Sequence, residues 1–126
     1  MEKYDGLRSW EYHGPKAVSR LAPRFSFKAD AEVTDLESET QIREKTKDLS
    51  LFGCGIDTST PIPKGTRVRV KLAYQGQEMT ALGLIVYARP DLGVGIAFYA
   101  VAQAHERILE GWVAELSRLP LPPAEP

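Results

Sequence analysis

Alternating apolar and polar positions predict several strands in the middle of the chain. Apolar residues recur at every second position over residues 25–33, and again at Val68, Val70 and Leu72, where basic residues stand between them. This period of two is typical of strands with one buried face. Residues 79–88 predict a long strand that is broken or bulged at Gly83, and residues 94–98 predict a closing strand.

Turn signals and a change of period define the rest of the ordered region. Residues 74–77, which include Gly76, predict a hairpin turn, and residues 90–93, with Pro90 following Arg89, predict another. From about residue 102 apolar residues recur every three or four positions, which predicts an amphipathic helix that Pro120 ends. Its apolar stripe comprises Ala104, Ile108, Trp112, Leu116 and Leu119.

Composition limits the class of protein. A chain of 126 residues corresponds to one domain, and its net charge of −1 argues against binding a nucleic acid polymer. The N-terminus lacks an apolar signal core, and the longest apolar stretch, near residues 81–88, is too short for membrane insertion. Cys54 is the single cysteine, which excludes an internal disulfide and suits a reducing cytosol. We therefore expect a cytoplasmic protein with a buried, inert Cys54 thiol.

Signatures of catalysis are missing from the sequence. It contains no G-x-S-x-G motif and no P-loop, and His13 and His105 are too far apart in sequence to suggest a metal-ligand spacing. We predict that the protein is not an enzyme and uses neither a cofactor nor a metal ion.

Two short motifs carry the candidate binding chemistry. Arg20 and Arg24 form an R-x-x-x-R motif, and Asp48, Ser50 and Gly53 form a D-x-S-x-x-G motif. Guanidinium groups bind phosphate oxygens or the O6/N7 edge of guanine, whereas carboxylate and hydroxyl oxygens accept hydrogen bonds from guanine N1–H and N2–H. Taken singly, the arginines could be solvated charges, Asp48 and Ser50 could form a local turn, and Gly53 could mark a bend.

In this order the two motifs resemble the PilZ domain, a family of bacterial receptors for the second messenger cyclic di-GMP. The resemblance runs from Ser19 to Phe98 and includes the segments LFGCGIDTS, KGT, VRVKL and the closing G-x-G-x-x-F. It implies a mainly β fold, a small six-stranded antiparallel β-barrel with a C-terminal α-helix, in which the polar residues 41–48 form a strand. The stripe with Trp112 is then expected to pack on the barrel mouth.

The resemblance also implies the function and the site. It predicts a stand-alone receptor that binds cyclic di-GMP through Arg20, Arg24, Asp48, Ser50 and Gly53 and signals by a conformational change to an unidentified downstream protein. Many relatives carry a second basic residue where Ser19 stands, so one or two bound ligand molecules remain possible. The predicted organisation is an N-terminal arm over residues 1–18, the domain over residues 19–119 and a disordered tail over residues 120–126.

Two other functions stay open at this point. A PilZ-like adaptor that contacts proteins without binding nucleotide is the main alternative, although intact motifs count against it. An oligonucleotide-binding barrel is disfavoured by the charge balance and by the lack of a series of aromatic residues for base stacking.

Overall fold

Residues 23–118 are described by the structure, a computed structural model. They form β1 (Phe25–Ser26), β2 (Asp30–Asp35), β3 (Gln41–Ser50), β4 (Gly53–Asp57), β5 (Arg67–Tyr74), β6 (Gln77–Arg89), β7 (Gly93–Val101) and α1 (Gln103–Ser117). The predicted arm over residues 1–18, the candidate residue Arg20, Leu119 of the helical stripe and the predicted tail over residues 120–126 lie outside the described residues.

Six of the strands close into an antiparallel barrel. Its order is β3, β2, β5, β6, β7 and β4, and β4 pairs again with β3 to complete the ring. The short β1 adds two further pairs to β3. Strand β3 forms despite its polar sequence because β2 on one side and β4 on the other pair with its backbone. The predicted small six-stranded barrel with a C-terminal helix is confirmed.

The prediction of one continuous strand over residues 25–33 is wrong, because β1 and β2 are separate strands that both pair with β3. Where they are interrupted, the fully buried Thr46 hydroxyl donates to the Phe27 carbonyl at 2.5 Å and accepts from the Ala29 N–H at 2.9 Å. Buried backbone groups need such partners, so the Thr46 side chain substitutes for strand pairing at the break.

Strand alternation separates the core from the outer surface. On β5 the side chains of Val68, Val70 and Leu72 are fully buried, whereas Arg67 and Arg69 are exposed, as the alternating pattern predicts. The buried apolar side chains from all sides of the barrel form one continuous core, which supplies the main stabilisation of the fold.

Both predicted turns are present. Gln75 and Gly76 have φ angles of 52° and 80°. A two-residue hairpin turn needs positive φ angles at both central residues to match the right-handed twist of the flanking strands. In the turn between β6 and β7 the Leu92 N–H donates to the Arg89 carbonyl at 3.1 Å, and Pro90 occupies the second position.

Strand β6 carries two irregularities. The pairing of β6 with β7 shifts between Leu82 and Gly83, which confirms the bulge predicted there, and shifts again between Ile85 and Tyr87. A β-carbon at Gly83 would lie 2.4 Å from Cγ2 of Ile96, so the bulge brings β6 very close to a core side chain of β7.

Helix α1 is confirmed, but its buried stripe differs from the prediction. Leu109 and Trp112 are buried, whereas Ala104 is exposed, because the helix rests on the barrel through only part of the predicted face. The Trp112 ring lies 5.5 Å from that of Phe27 and 5.7 Å from that of Tyr74, so this side chain packs on the barrel as expected. Within residues 23–118 no helix is long and apolar enough to cross a membrane.

Candidate functional site

A bulge in β3 turns Asp48 to the outer surface of the barrel. Thr46 is fully buried, and regular alternation would place Asp48 on the same inner face. The pairing of β3 with β4 instead shifts between Thr46 and Asp48, which inserts one extra residue. After the bulge Leu49 is fully buried, and Asp48 and Ser50 on either side of it share the opposite face.

Arg24 and Asp48 meet on this outer surface. Strand β1 pairs with β3 so that Ser26 lies opposite Asp48, and Arg24 stands two residues before Ser26 on the same face. The Arg24 Nη2 atom lies 3.1 Å from Asp48 Oδ1, and the two side chains are 48% and 26% exposed. The fold therefore joins one residue from each predicted motif across 24 positions of sequence.

Ser50 shapes the hairpin between β3 and β4. It is 4% exposed, and its Oγ accepts a hydrogen bond from the Phe52 N–H at 3.1 Å. This bond spans two residues, which is the local pattern that serine side chains form in turns. The turn-forming role considered from the sequence is thus present for Ser50, whereas the Asp48 carboxylate pairs with Arg24.

Gly53 allows the backbone of β7 to approach β4. A β-carbon at Gly53 would lie 2.3 Å from the carbonyl oxygen of Ile96 and 3.3 Å from the α-carbon of Ala97. No side chain fits at such distances, so glycine is required here by the barrel itself.

Two further glycines lie beneath neighbouring side chains beside Asp48. Gly55 on β4 and Gly95 on β7 are paired opposite one another, and we call them the glycine floor. A β-carbon at Gly55 would lie 2.9 Å from Asp48 Oδ1, and one at Gly95 would lie 2.2 Å from the ring of Tyr87. The missing side chains therefore let the Asp48 carboxylate and the Tyr87 ring lie directly against the strands.

Lys47 and Tyr87 border the glycine floor, and the sequence did not single them out. Lys47 is the extra residue of the β3 bulge, and its Cε would lie 3.0 Å from a β-carbon at Gly55. Its ammonium donates to the carbonyl of Leu92 and lies 5.8 Å from the centre of the Tyr87 ring. Gly55 stands two residues after Gly53 on the same strand, so the alternation of strand faces could have drawn attention to it. No local pattern in the sequence predicts the bulge that positions Lys47.

Cys54 lies directly behind the site and is chemically protected. Burial raises the pKa of its thiol, the Asp48 carboxylate raises it further, and the Arg24 guanidinium partly opposes these effects. The thiol is therefore neutral at physiological pH, and a neutral thiol is a poor nucleophile. Among residues 23–118 no three His, Cys, Asp or Glu side chains are grouped closely enough to hold a metal ion.

The candidate site lies outside the cleft at the β4–β5 connection. That cleft has a volume of about 380 Å³ and is lined by residues 58–63 together with residues from the end of β6 and the start of β7. Neither Arg24 nor Asp48 lines it.

Comparison with known structures identifies the same fold in several bacterial proteins. The PilZ domain of CeSA from a cellulose-synthesizing bacterium matches with a TM-score of 0.62 and 21% identity over 76% of this chain and 99% of its own. The PilZ domain of YcgR from Escherichia coli, solved with c-di-GMP, matches with a TM-score of 0.62 and 19% identity over 77% of this chain and 90% of its own. The Bacillus subtilis inhibitor of motility MotI/DgrA matches with a TM-score of 0.63 and 12% identity over 79% of this chain and 52% of its own.

A family comparison gives the assignment. No curated protein matches the chain significantly. The model of the PilZ domain matches residues 19–115, which include both motifs and most of helix α1. PilZ domains are receptor and adaptor domains rather than enzymes. The chain therefore belongs to the PilZ domain family, a family of cyclic di-GMP receptors.

Proposed function

We propose that this protein is a receptor for cyclic di-GMP that binds its ligand on the outer surface of β3 and β4 through Arg20, Arg24, Asp48, Ser50 and Gly53. The observation that carries the proposal is the contact of Arg24 with Asp48 at 3.1 Å, which brings one residue of each motif together on the outer surface of the barrel. The protein works in the cytoplasm, needs no cofactor, and passes the signal to a downstream protein by a change of shape.

Arginine supplies the attraction for the ligand. Cyclic di-GMP carries two phosphates and two guanines, and the guanidinium fork matches both a phosphate and the O6/N7 edge of guanine. Because the side chain of Arg24 is 48% exposed, it reaches a ligand on the surface without unfolding of the barrel. Arg20 provides a second fork four positions earlier in the sequence.

Asp48 supplies discrimination between bases. Its ionised carboxylate accepts hydrogen bonds but donates none, so it suits the N1–H and N2–H donors of guanine. Adenine lacks both the O6 acceptor and the N2 amine, and we expect cyclic di-AMP to bind more weakly. Ser50 contributes by fixing the hairpin next to Asp48, since its hydroxyl holds the Phe52 N–H.

An adaptor that binds no nucleotide is the second candidate, and the same geometry gives it some support. Arg24 and Asp48 satisfy one another, Ser50 serves a turn, and Gly53 accommodates the backbone of β7. Each of these described motif residues thus has a structural role without ligand. The intact motifs, and the partly exposed contact between Arg24 and Asp48, favour the receptor.

Calorimetric titration separates the two candidates. Purified protein is titrated with cyclic di-GMP, with cyclic di-AMP and GTP as controls. The receptor is expected to release or absorb heat with saturating cyclic di-GMP and to prefer it over both controls. No heat at high concentrations of cyclic di-GMP, together with no competition by it, would establish the adaptor instead.

A further inference from the structure

We infer that Lys47 is a third cationic contact for the ligand and that it leaves the glycine floor to reach a ligand phosphate. This inference rests on the proposed function, because it concerns the same surface. It adds to that function a residue outside both sequence motifs and a movement of that residue toward the ligand.

The β3 bulge places Lys47 beside Asp48 on the ligand side of the barrel. Adjacent residues of a regular strand point to opposite faces. Here a β-carbon built on Gly55 would lie 2.9 Å from Asp48 Oδ1 and 3.0 Å from Lys47 Cε, so both side chains cover the same outer point. Lys47 therefore lies within reach of a ligand held by Asp48 and Arg24.

The ammonium of Lys47 has no anionic partner among the described residues. It donates to the neutral carbonyl of Leu92 and faces the ring of Tyr87, and none of the described carboxylates forms an ion pair with it. Lys45 on the same strand, by contrast, forms an ion pair in which its Nζ atom lies 2.5 Å from Asp30 Oδ1. A phosphate oxygen accepts the same hydrogen bond as the Leu92 carbonyl and adds the attraction of a full negative charge, so a phosphate displaces this carbonyl as the partner of Lys47.

Movement of Lys47 also uncovers Gly55, one of the two residues of the glycine floor. Its alkyl chain lies against Gly55, where a β-carbon would be 3.1 Å from Cγ of Lys47. When the ammonium moves to the ligand, the Gly55 backbone becomes accessible beside Asp48, and no side chain of its own obstructs a flat ring there. The movement of Lys47 thus both attracts the ligand phosphate and gives a guanine ring of the ligand access to the Gly55 backbone.

Substitution of Lys47 with a matched control tests the inference. Lys47→Met removes the charge and keeps the length of the side chain, and Lys47→Arg keeps the charge. Lys45→Met makes the same change of net charge two residues earlier on the same strand. Affinity for cyclic di-GMP is measured by calorimetry for wild type and all three variants at low and high salt, and thermal unfolding verifies that each is folded.

The expected results differ between the variants. Lys47→Met raises the Kd about tenfold at low salt, the size of one lost charge-assisted bond, and the difference shrinks at high salt because salt screens exposed charges. Lys47→Arg and Lys45→Met stay within about twofold to threefold of wild type, since one retains the charge and the other lies outside the site.

Two outcomes would overturn the role of Lys47 while leaving the receptor intact. One is wild-type affinity of Lys47→Met, and the other is an equal loss in Lys45→Met, which indicates only a general effect of charge. Failure of the wild-type protein itself to bind cyclic di-GMP would instead refute the proposed function, and the inference with it.

Discussion

Replacing Arg24 with alanine is expected to separate ligand affinity from stability. Among the described residues Arg24 forms an ion pair with Asp48 at 3.1 Å, and the two side chains are 48% and 26% exposed. Exposed pairs of this kind contribute roughly 0.2–1 kcal/mol to folding. Arg24→Ala should therefore lower the free energy of unfolding by less than about 1 kcal/mol, which shifts the Tm of a domain of this size by no more than about 4–8 °C.

The expected effect on ligand binding is larger. Loss of a hydrogen bond to a charged group removes roughly 1.5–3 kcal/mol, or about tenfold to a hundredfold in Kd. Binding of the ligand to the wild-type protein must break the ion pair between Arg24 and Asp48. The free energy lost in this way is no larger than the small contribution of an exposed ion pair. Calorimetry with cyclic di-GMP gives the Kd, and thermal unfolding followed by circular dichroism gives the stability of the same samples.

Arg43→Ala is the matched control for this experiment. The Arg43 Nε atom lies 3.2 Å from Glu32 Oε2, so this arginine also forms an exposed ion pair, with its side chain 78% exposed. It stands five residues before Asp48 on β3, about 17 Å along an extended strand. Its loss should change stability as little as that of Arg24 and leave affinity unchanged. Binding within twofold of wild type in Arg24→Ala, or equal losses in both variants, would refute the assignment of Arg24 to the site.

Three further outcomes are expected. Asp48→Asn replaces an acceptor with a donor and should weaken binding of cyclic di-GMP and reduce its preference over cyclic di-AMP; unchanged selectivity would limit Asp48 to its contact with Arg24. Thr46→Val leaves the buried Ala29 N–H without its partner and should lower the free energy of unfolding, measured by urea denaturation, by about 1–3 kcal/mol. Thr46→Ser keeps the hydroxyl and should lower this free energy by less than about 1 kcal/mol. Equal stability of these two variants would contradict the role of that hydroxyl. Cys54 should resist a disulfide reagent at pH 8 in the native protein and react on unfolding, because burial raises its pKa; rapid labelling of native protein would show an accessible thiol.

The sequence determined the elements whose cause is local. The period of two at Val68, Val70 and Leu72 identified β5 and its inner face, because burial on one side of a strand imposes that spacing. Gly76 identified the β5–β6 hairpin, whose central residues have the positive φ angles that glycine permits. Both candidate motifs were also evident from the sequence, since residue type alone defines their chemistry.

Tertiary structure decided which surfaces those residues occupy. The bulge after Thr46 reverses the alternation of β3, and only through it does Asp48 face outward, with Lys47 beside it. The break between β1 and β2 likewise depends on the Thr46 hydroxyl, which bonds to Phe27 and Ala29. Both irregularities depend on how β3 pairs with its neighbouring strands, because register follows from that pairing, and a shift of one residue moves every later side chain to the opposite face.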